Sequence, residues 1–501
     1  MGPSDRRVLS TWAERRMRRR EFLRLSSRTA LAGAAAAAAP QLLLGAAAAR
    51  RRKPNFVVIL TDDQGYGDLS CYGSTRVKTP NLDRMAAEGM KFTDFYVAAP
   101  VCTPTRSALM TGCYPRRIGL HRHVLFPNSK KGLNPREITI AELLKRQGYA
   151  TTCVGKWHLG YQRKFLPTRQ GFDSYYGIPF SNDMWLPPNM SYAKGAHLPS
   201  DLDAEKRKAG VRARNEVPLM RNEEVIEYPT DQATLTERYT EEAIKFIKAN
   251  KDRPFFLYLP HTMPHYPLHV SKRFKGKSKA RLFGDVIECL DWSAGQILRT
   301  LKELDIDDNT LVFFTSDNGP AAGSAGPLRG RKGSTWEGGM REPAICRWPG
   351  KVPAGAVCSE LATIMDLLPT FAGLAGTKAP TDRVIDGRDI WPLISGRAGA
   401  KTPHEAFFYH TAHGQLAAVR SGKWKLHIKV PVQRRRRRKG EAPKPQPPPK
   451  PPAVALYDLE ADIGETKSVA DEHGDVVKRL RALLSTFDEE IKKNSRPVGA
   501  V

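Results

Sequence analysis

Several short stretches of this 501-residue chain carry residue types that could do chemistry. Two are acidic. Thr61-Asp62-Asp63 follows the apolar run Asn55 to Leu60, and Asp317-Asn318-Gly319 follows the run Thr310 to Thr315. Runs this continuously apolar suit strands buried on both faces of a parallel sheet. In open α/β sheets, ligands bind beyond the carboxyl ends of the strands. Three carboxylates and an amide oxygen can therefore meet at one point. Like charges that close require a cation, and all-oxygen ligation favours a hard ion, Ca²⁺ or Mg²⁺. Taken singly, each acidic stretch also suits a turn or a cap. Two of them at two strand ends favour a metal.

The other stretches bring a nucleophile candidate and cations. Cys102 stands two residues before Pro104, at an expected helix start. The partial positive charge of a first helical turn lowers a thiol pKa. Lys156 and His158, in Gly155-Lys156-Trp157-His158-Leu159-Gly160, follow another expected strand. His265 follows the run Phe255 to Leu259, and Lys332 sits in the loop Gly330-Arg331-Lys332-Gly333. Alone, each histidine suits a structural role and each lysine a solvated surface. Together they place two imidazoles and two ammonium groups near an acidic metal cluster. That mixture suits an anionic ester: cations neutralise the oxyanion, and a histidine protonates the leaving oxygen.

The elements that must position these groups alternate. Strands are expected at Asn55 to Leu60, Thr151 to Gly155, Phe255 to Leu259, Thr310 to Thr315 and Ala344 to Trp348. Helices are expected after Thr79 (with Leu82, Met85 and Met90 on one side), at Ile140 to Arg146 after the cap Thr139, at Thr236 to Ala249, and at Ala280 to Leu304. This alternation predicts an α/β fold, a large doubly wound mixed sheet flanked by helices. The pattern changes near residue 400. Leu416 to Arg420 and Trp424 to Ile428 alternate about the turn Ser421-Gly422-Lys423, Leu456 to Leu459 adds a third strand, and Val476 to Ile491 is an amphipathic helix. That predicts a smaller C-terminal α+β domain, an antiparallel sheet plus a helix.

The formal net charge of +28 is concentrated. Residues 1–53 carry 13 Lys and Arg against three acids, and residues 429–452 carry nine against one. The rest of the chain is only modestly basic, so its charge does not argue for a nucleic-acid partner. The first cluster leads through Arg19-Arg20-Glu21-Phe22-Leu23-Arg24 into an Ala/Leu-rich segment and then Ala46 to Ala49. This is the three-part pattern of a removable export signal over 1–49, similar to the twin-arginine type. The expected location is exported, periplasmic or extracellular, with the export machinery as a partner. No other apolar segment approaches the ~20 residues that span a bilayer, so no stable membrane span is expected after signal removal. The second cluster, five arginines and then Pro/Lys repeats, cannot pack a core and is expected to be an extended, mobile insertion. Seven scattered cysteines do not make a disulfide scaffold.

These residues resemble the formylglycine-dependent sulfatases, arylsulfatase-like members of the alkaline phosphatase superfamily. The resemblance spans residues 54 to about 495. Cys102-x-Pro104-x-Arg106, with Ser107 and Thr111-Gly112, is similar to the family's modification motif, and Gly155 to Gly160 to its second motif. It implies a catalytic domain over 54–400, a C-terminal domain over 401–501 and a formylglycine made from Cys102 by a separate generating enzyme before export. It implies Ca²⁺, ahead of Mg²⁺, held by Asp62, Asp63, Asp317, Asn318 and the modified residue 102. Arg106 and Lys156 would hold the formylglycine; His158, His265 and Lys332 would face sulfate and leaving group. Ser181 would add a sulfate contact, although Asn182 stands where the commoner pattern has histidine. The implied reaction is sulfate-ester hydrolysis, with a sulfated small molecule or polysaccharide as substrate. One hydroxyl of the hydrated aldehyde attacks sulfur, Asp317 accepts its proton, His265 and Lys332 assist the leaving alcohol, and His158 helps deprotonate the second hydroxyl. A formylglycine-dependent phosphodiester or phosphonate hydrolase is the alternative. Within 181–230, Trp185, Tyr192 and Tyr228 are candidates for stacking on a sugar or aryl group.

Overall fold

The computed structural model describes residues 52–431 and 453–501. The expected export signal and residues 432–452 of the basic insertion lie outside the described residues. A mixed sheet of 12 strands forms the centre. Its middle follows from the apolar runs: Asn55–Thr61, Phe255–Pro260 and Thr310–Ser316 are buried along their whole lengths. From one edge the order is Ala356–Cys358, Met90–Tyr96, Arg341–Arg347, Thr310–Ser316, Asn55–Thr61, Phe255–Pro260, Ala150–Val154, Ser174–Gly177, Leu219–Arg221, Glu224–Glu227 and Ser191–His197, and the twelfth strand, Ala362–Thr363, also pairs with Met90–Tyr96.

The five strands from Thr310–Ser316 to Ser174–Gly177 are parallel, so their carboxyl ends share one edge. Register decides what meets there. Thr61 pairs with Ser316, Leu60 with Pro260, Cys153 with Tyr258 and Val154 with Tyr176. The residues that follow each strand therefore emerge side by side.

Helices flank the sheet. Pro80–Ala87, Leu235–Ala249 and Arg281–Glu303 make one packed group. Cys102–Thr111, Ile140–Arg146 and Leu367–Leu374 make another, and Phe371 stacks on Phe56 of the central strand at 4.4 Å. The expected cap at Thr139 is present: its hydroxyl accepts from Glu142 N, and Glu142 accepts from Thr139 N in return. The first helix stops earlier than its apolar spacing predicts. Met90 opens the strand Met90–Tyr96, and a Cβ at Gly89 would lie 2.1 Å from the Cys346 carbonyl oxygen. Only a glycine lets the chain pass that close before turning into the sheet.

After residue 400 a separate antiparallel sheet forms in the order Phe407–His410, Leu416–Ser421, Trp424–His427, Ala455–Asp458. It has four strands rather than three, because Phe407–His410 adds an edge. Helix Gly474–Lys493 covers it with Leu480 and Leu484, and Phe408 stacks on Phe487 at 3.8 Å. The described residues from Lys53 onward form one compact unit. All seven cysteines are free, and no helix among the described residues is long and apolar enough to cross a membrane.

Candidate active site

The shared carboxyl edge gathers the residues singled out in the sequence. Asp62 and Asp63 leave the central strand beside Asp317 and Asn318. The Asp63 N–H donates to Asp317 Oδ1 at 3.2 Å, and Asn318 Nδ2 donates to Asp63 Oδ1 at 2.7 Å. Cys102 is the first residue of a helix whose ten residues are all buried. Its thiol points at Asp62 Oδ1, 3.6 Å away, and Lys332 Nζ lies 3.7 Å from the sulfur. Lys156 Nζ donates to Asp62 Oδ2 at 2.5 Å and to Ser181 Oγ at 3.2 Å. Lys332 Nζ donates to both Asp63 oxygens, at 2.6 and 2.8 Å. Arg106 grips Asp317 Oδ2 through Nε and Nη2, at 2.9 and 2.8 Å, and the Lys156 carbonyl through Nη1 at 2.7 Å. Arg106 and Lys156 thus contact the acids around Cys102 rather than its sulfur. Most of these groups have no exposed surface. His265 and Lys332 keep 12% and 21% of their side-chain exposure, so the site opens on their side.

His265 is oriented by a residue that motif reasoning set aside. Asn182 Nδ2 donates to Gln232 Oε1 at 3.1 Å and to the Pro267 carbonyl at 2.8 Å. Its Oδ1 is thereby fixed to accept from His265 Nδ1 at 2.9 Å. His265 Nε2 then lies 3.7 Å from Asp63 Oδ2, with Ser181 Oγ 3.3 Å from the ring. His158 stands further back. Its Nε2 is 3.0 Å from the Leu125 carbonyl, its Nδ1 is buried without a partner, and its ring meets Phe180 edge to face.

The electrostatics follow from burial and close charges. Burial alone would raise Asp62, but Lys156, His265, Arg106 and Lys332 together hold it well below the carboxylate range. Asp317 is pushed the other way, up to about 7, by burial and by Asp62, against Arg106. Burial outweighs the helix start at Cys102: the thiol is pushed up to about 12 rather than lowered, despite Lys156 and Lys332. Residue 102 in its cysteine form is a neutral thiol. Burial lowers His265 and lowers His158 well below the imidazole range. Lys332 is raised because Asp63 and its neighbours outweigh burial.

Glu342 is a further acid that nothing in its local sequence marks. It is buried on Arg341–Arg347, both oxygens lack a partner, and burial with nearby Asp317, Asp63 and Asp68 pushes its pKa well above the carboxylate range.

The donor set fits a hard divalent cation. Ligand atoms of Asp62, Asp63, Cys102 and His265 lie within 4.8 Å of one another. Asn318 Oδ1 is buried beside them with no hydrogen-bond partner, and a cation would satisfy it. The three candidates for substrate stacking differ in exposure. Tyr228 is buried at 3% exposure, whereas Trp185 and Tyr192 are partly exposed beneath Arg212 and Arg207.

A parallel sheet edge carrying acids, an amide, a helix-start cysteine and surrounding cations suits a site that takes a cation and an anionic ester together. Comparison with known proteins is more specific. Residues 54–377 match the sulfatase family, residues 402–500 match the C-terminal region of aryl-sulfatase, and residues 331–427 overlap the C-terminal part of N-sulphoglucosamine sulphohydrolase. The chain is 42% identical to N-acetylgalactosamine-6-sulfatase of Canis lupus familiaris over 398 residues, covering 74% of this chain and 71% of that protein. It is 41% identical to human arylsulfatase A, covering 74% of each. The solved structure of Ps i-CgsB with k-i-k-neocarrahexaose is similar at a TM-score of 0.70 and 30% identity, covering 87% of this chain and 93% of that one. This chain belongs to the sulfatase family, and it is a sulfuric ester hydrolase.

Proposed function

We propose that the protein hydrolyses sulfate esters of a carbohydrate, using a formylglycine made from Cys102 and a divalent cation, Ca²⁺, held by Asp62, Asp63, Asp317 and Asn318. The observation that carries this reading is the setting of Cys102. It is buried at a helix start between Asp62 and Lys332, and its thiol is held neutral. A thiol pushed up to about 12 is a poor nucleophile, so the position suits a precursor. When bound, the cation would supply charge that offsets the clustered carboxylates and the sulfate oxygens. Lys332 and His265 occupy the open side, where a substrate ester must arrive. Lys332 offers positive charge to the sulfate, and His265, with its Nδ1–H committed to Asn182, presents Nε2, which takes up a proton beside Asp63 before passing it to the leaving oxygen. Arg106 holds Asp317 in place, and Ser181, bound to Lys156, adds a polar contact beside His265.

The carbohydrate assignment is supported by the names of the relatives above and by the partly exposed Trp185. Export through the signal at 1–49, modification by a formylglycine-generating enzyme beforehand, and division into 54–400 and 401–501 complete the reading. The test is peptide mass spectrometry of active protein, together with turnover of an aryl sulfate and an aryl phosphodiester. Loss of sulfur and gain of an aldehyde oxygen at residue 102, with the sulfate preferred, is the expected result. Full activity in a preparation that holds only cysteine at 102 would refute the nucleophile. Preferred turnover of the phosphodiester would refute the substrate.

A further inference from the structure

A cluster of cations lies outside the site described above. A cavity of about 920 Å³ opens among the Arg116–Arg122 loop, the Gly414 turn and helix Gly474–Lys493. Its walls carry Arg116, Arg122, Lys429, Arg481 and Lys492 against one carboxylate, Asp488. Arg116 and Lys492 share that carboxylate. Arg122 and Arg481 are exposed and have no acidic partner among the described residues. Five cations around one acid repel one another, and a ligand bearing several negative charges would relieve this.

The cavity also connects toward the active site. His413 lines it, and the His413 ring lies 5.5 Å from His123. His123 stacks on Phe126 at 6.3 Å, Phe126 stacks on Trp185 at 6.2 Å, and the Arg212 guanidinium sits 5.2 Å over Trp185. His123 is close enough to Lys332 for that ammonium, after burial and His413, to depress its imidazole pKa. Phe126 is 41% exposed. A row of rings flanked by cations thus runs from the cavity past the open side of the site. Ring faces suit the apolar faces of sugars, and cations suit their sulfates.

We propose that this cavity anchors a sulfated polysaccharide, holding a part of the chain remote from the ester being cleaved. The proposal rests on the sulfate-ester reading only for the identity of the anion. The stretch 432–452 lies outside the described residues, and the site is argued without it. It is itself cationic, so these walls would repel it rather than take it as occupant.

The test uses dextran sulfate of narrow size and the full chain. Its affinity is measured for the wild type, for Arg122→Glu/Arg481→Glu, and for a control of equal charge change at two exposed residues elsewhere, Arg146→Glu/Lys248→Glu. Thermal melts check that each is folded. At about 50 mM salt the cavity pair should bind about tenfold more weakly and the control within about twofold of wild type, the gap closing near 0.5 M salt as screening grows. Equal weakening by both pairs would overturn the proposal, as would unchanged binding by the cavity pair. A DNA duplex of matched charge that competes as well as dextran sulfate would overturn the assignment to a sulfated glycan. Selective weakening, with no aryl sulfate turnover by the modified wild type, would support the anchor and count only against the hydrolase reading.

Discussion

Asn182 determines which nitrogen of His265 carries its proton. With both amide hydrogens committed to Gln232 and Pro267, it offers only an acceptor to Nδ1, so Nε2 is free on the side of Asp63. Asn182→Ala should leave the fold intact and lower kcat for an aryl sulfate by about tenfold, the usual scale for an orienting partner. Asn182→Asp keeps an acceptor and should retain most turnover; steady-state kinetics of both variants checks this. Asp317 tests the metal in the same way. Asp317→Ala should lose bound metal and activity together, measured by elemental analysis beside turnover. That these residues meet at one sheet edge was legible in the sequence, because acids after apolar runs and the Cys102 motif are local patterns. The role of Asn182 was not, because Gln232 and Pro267 lie far from it in sequence. The same holds for Glu342, and for the thiol of Cys102, whose pKa is set by burial and not by the helix start.

Strand register turns separate motifs into one site. The pairing of Thr61 with Ser316 places both acidic stretches at the same height, and a one-residue slip would turn each side chain to the other face. The central strands were legible because burial on both faces makes them continuously apolar. Ser191–His197 was not. It lies at the sheet edge with no residue buried, and its sequence shows no alternation. Phe407–His410 was missed for another reason: four residues are too short a run to show a period. That strand carries His410, which is buried, with both ring nitrogens unpartnered. Burial, then Arg116 and His121, lower its pKa to about 3. The unfolded chain therefore binds a proton below its ordinary pKa of about 6.5 that the folded state refuses. The stability this histidine permits is complete above that value and falls by about 1.4 kcal/mol per pH unit as pH drops toward 3. His410→Phe should flatten the pH dependence of the urea midpoint between about pH 6 and 4 by that slope.

The C-terminal sheet is held to the main sheet by buried charge. Lys425 Nζ reaches Glu337 and Glu465, each at 2.8 Å, with none of the three side chains exposed. Arg420 pairs with Asp94 at 2.6 Å and hydrogen-bonds Tyr96 of the main sheet. Removing Lys425 takes the ammonium from two buried carboxylates and leaves Glu337 to Tyr409 and Arg341, and Glu465 to His427 and the Glu337 N–H. Lys425→Met should cost about 3 kcal/mol in urea unfolding. Adding Glu337→Gln should recover part of that loss.

The strands that flank the basic insertion do not need it to pair. The strands on either side of it pair directly, Trp424 with Asp458 and His427 with Ala455. Helix Gly474–Lys493 covers them with residues far from it in sequence. Deleting 433–452 therefore shortens a connection and breaks no pairing. Cutting a loop of about 27 residues to about seven lowers its closure cost by about 1 kcal/mol. The deleted form should melt at the same temperature as the full chain or slightly above it, and should turn over an aryl sulfate unchanged. A lowered melting temperature would mean that the stretch packs against the fold, against its composition of arginine and proline. Polymer kinetics separate its charge from that of the cavity. If the five consecutive arginines raise the local concentration of a sulfated polymer, the deletion raises the apparent KM for that polymer at low salt, and the difference fades as salt rises. Identical polymer kinetics for the two forms at low salt would leave the insertion a tolerated spacer.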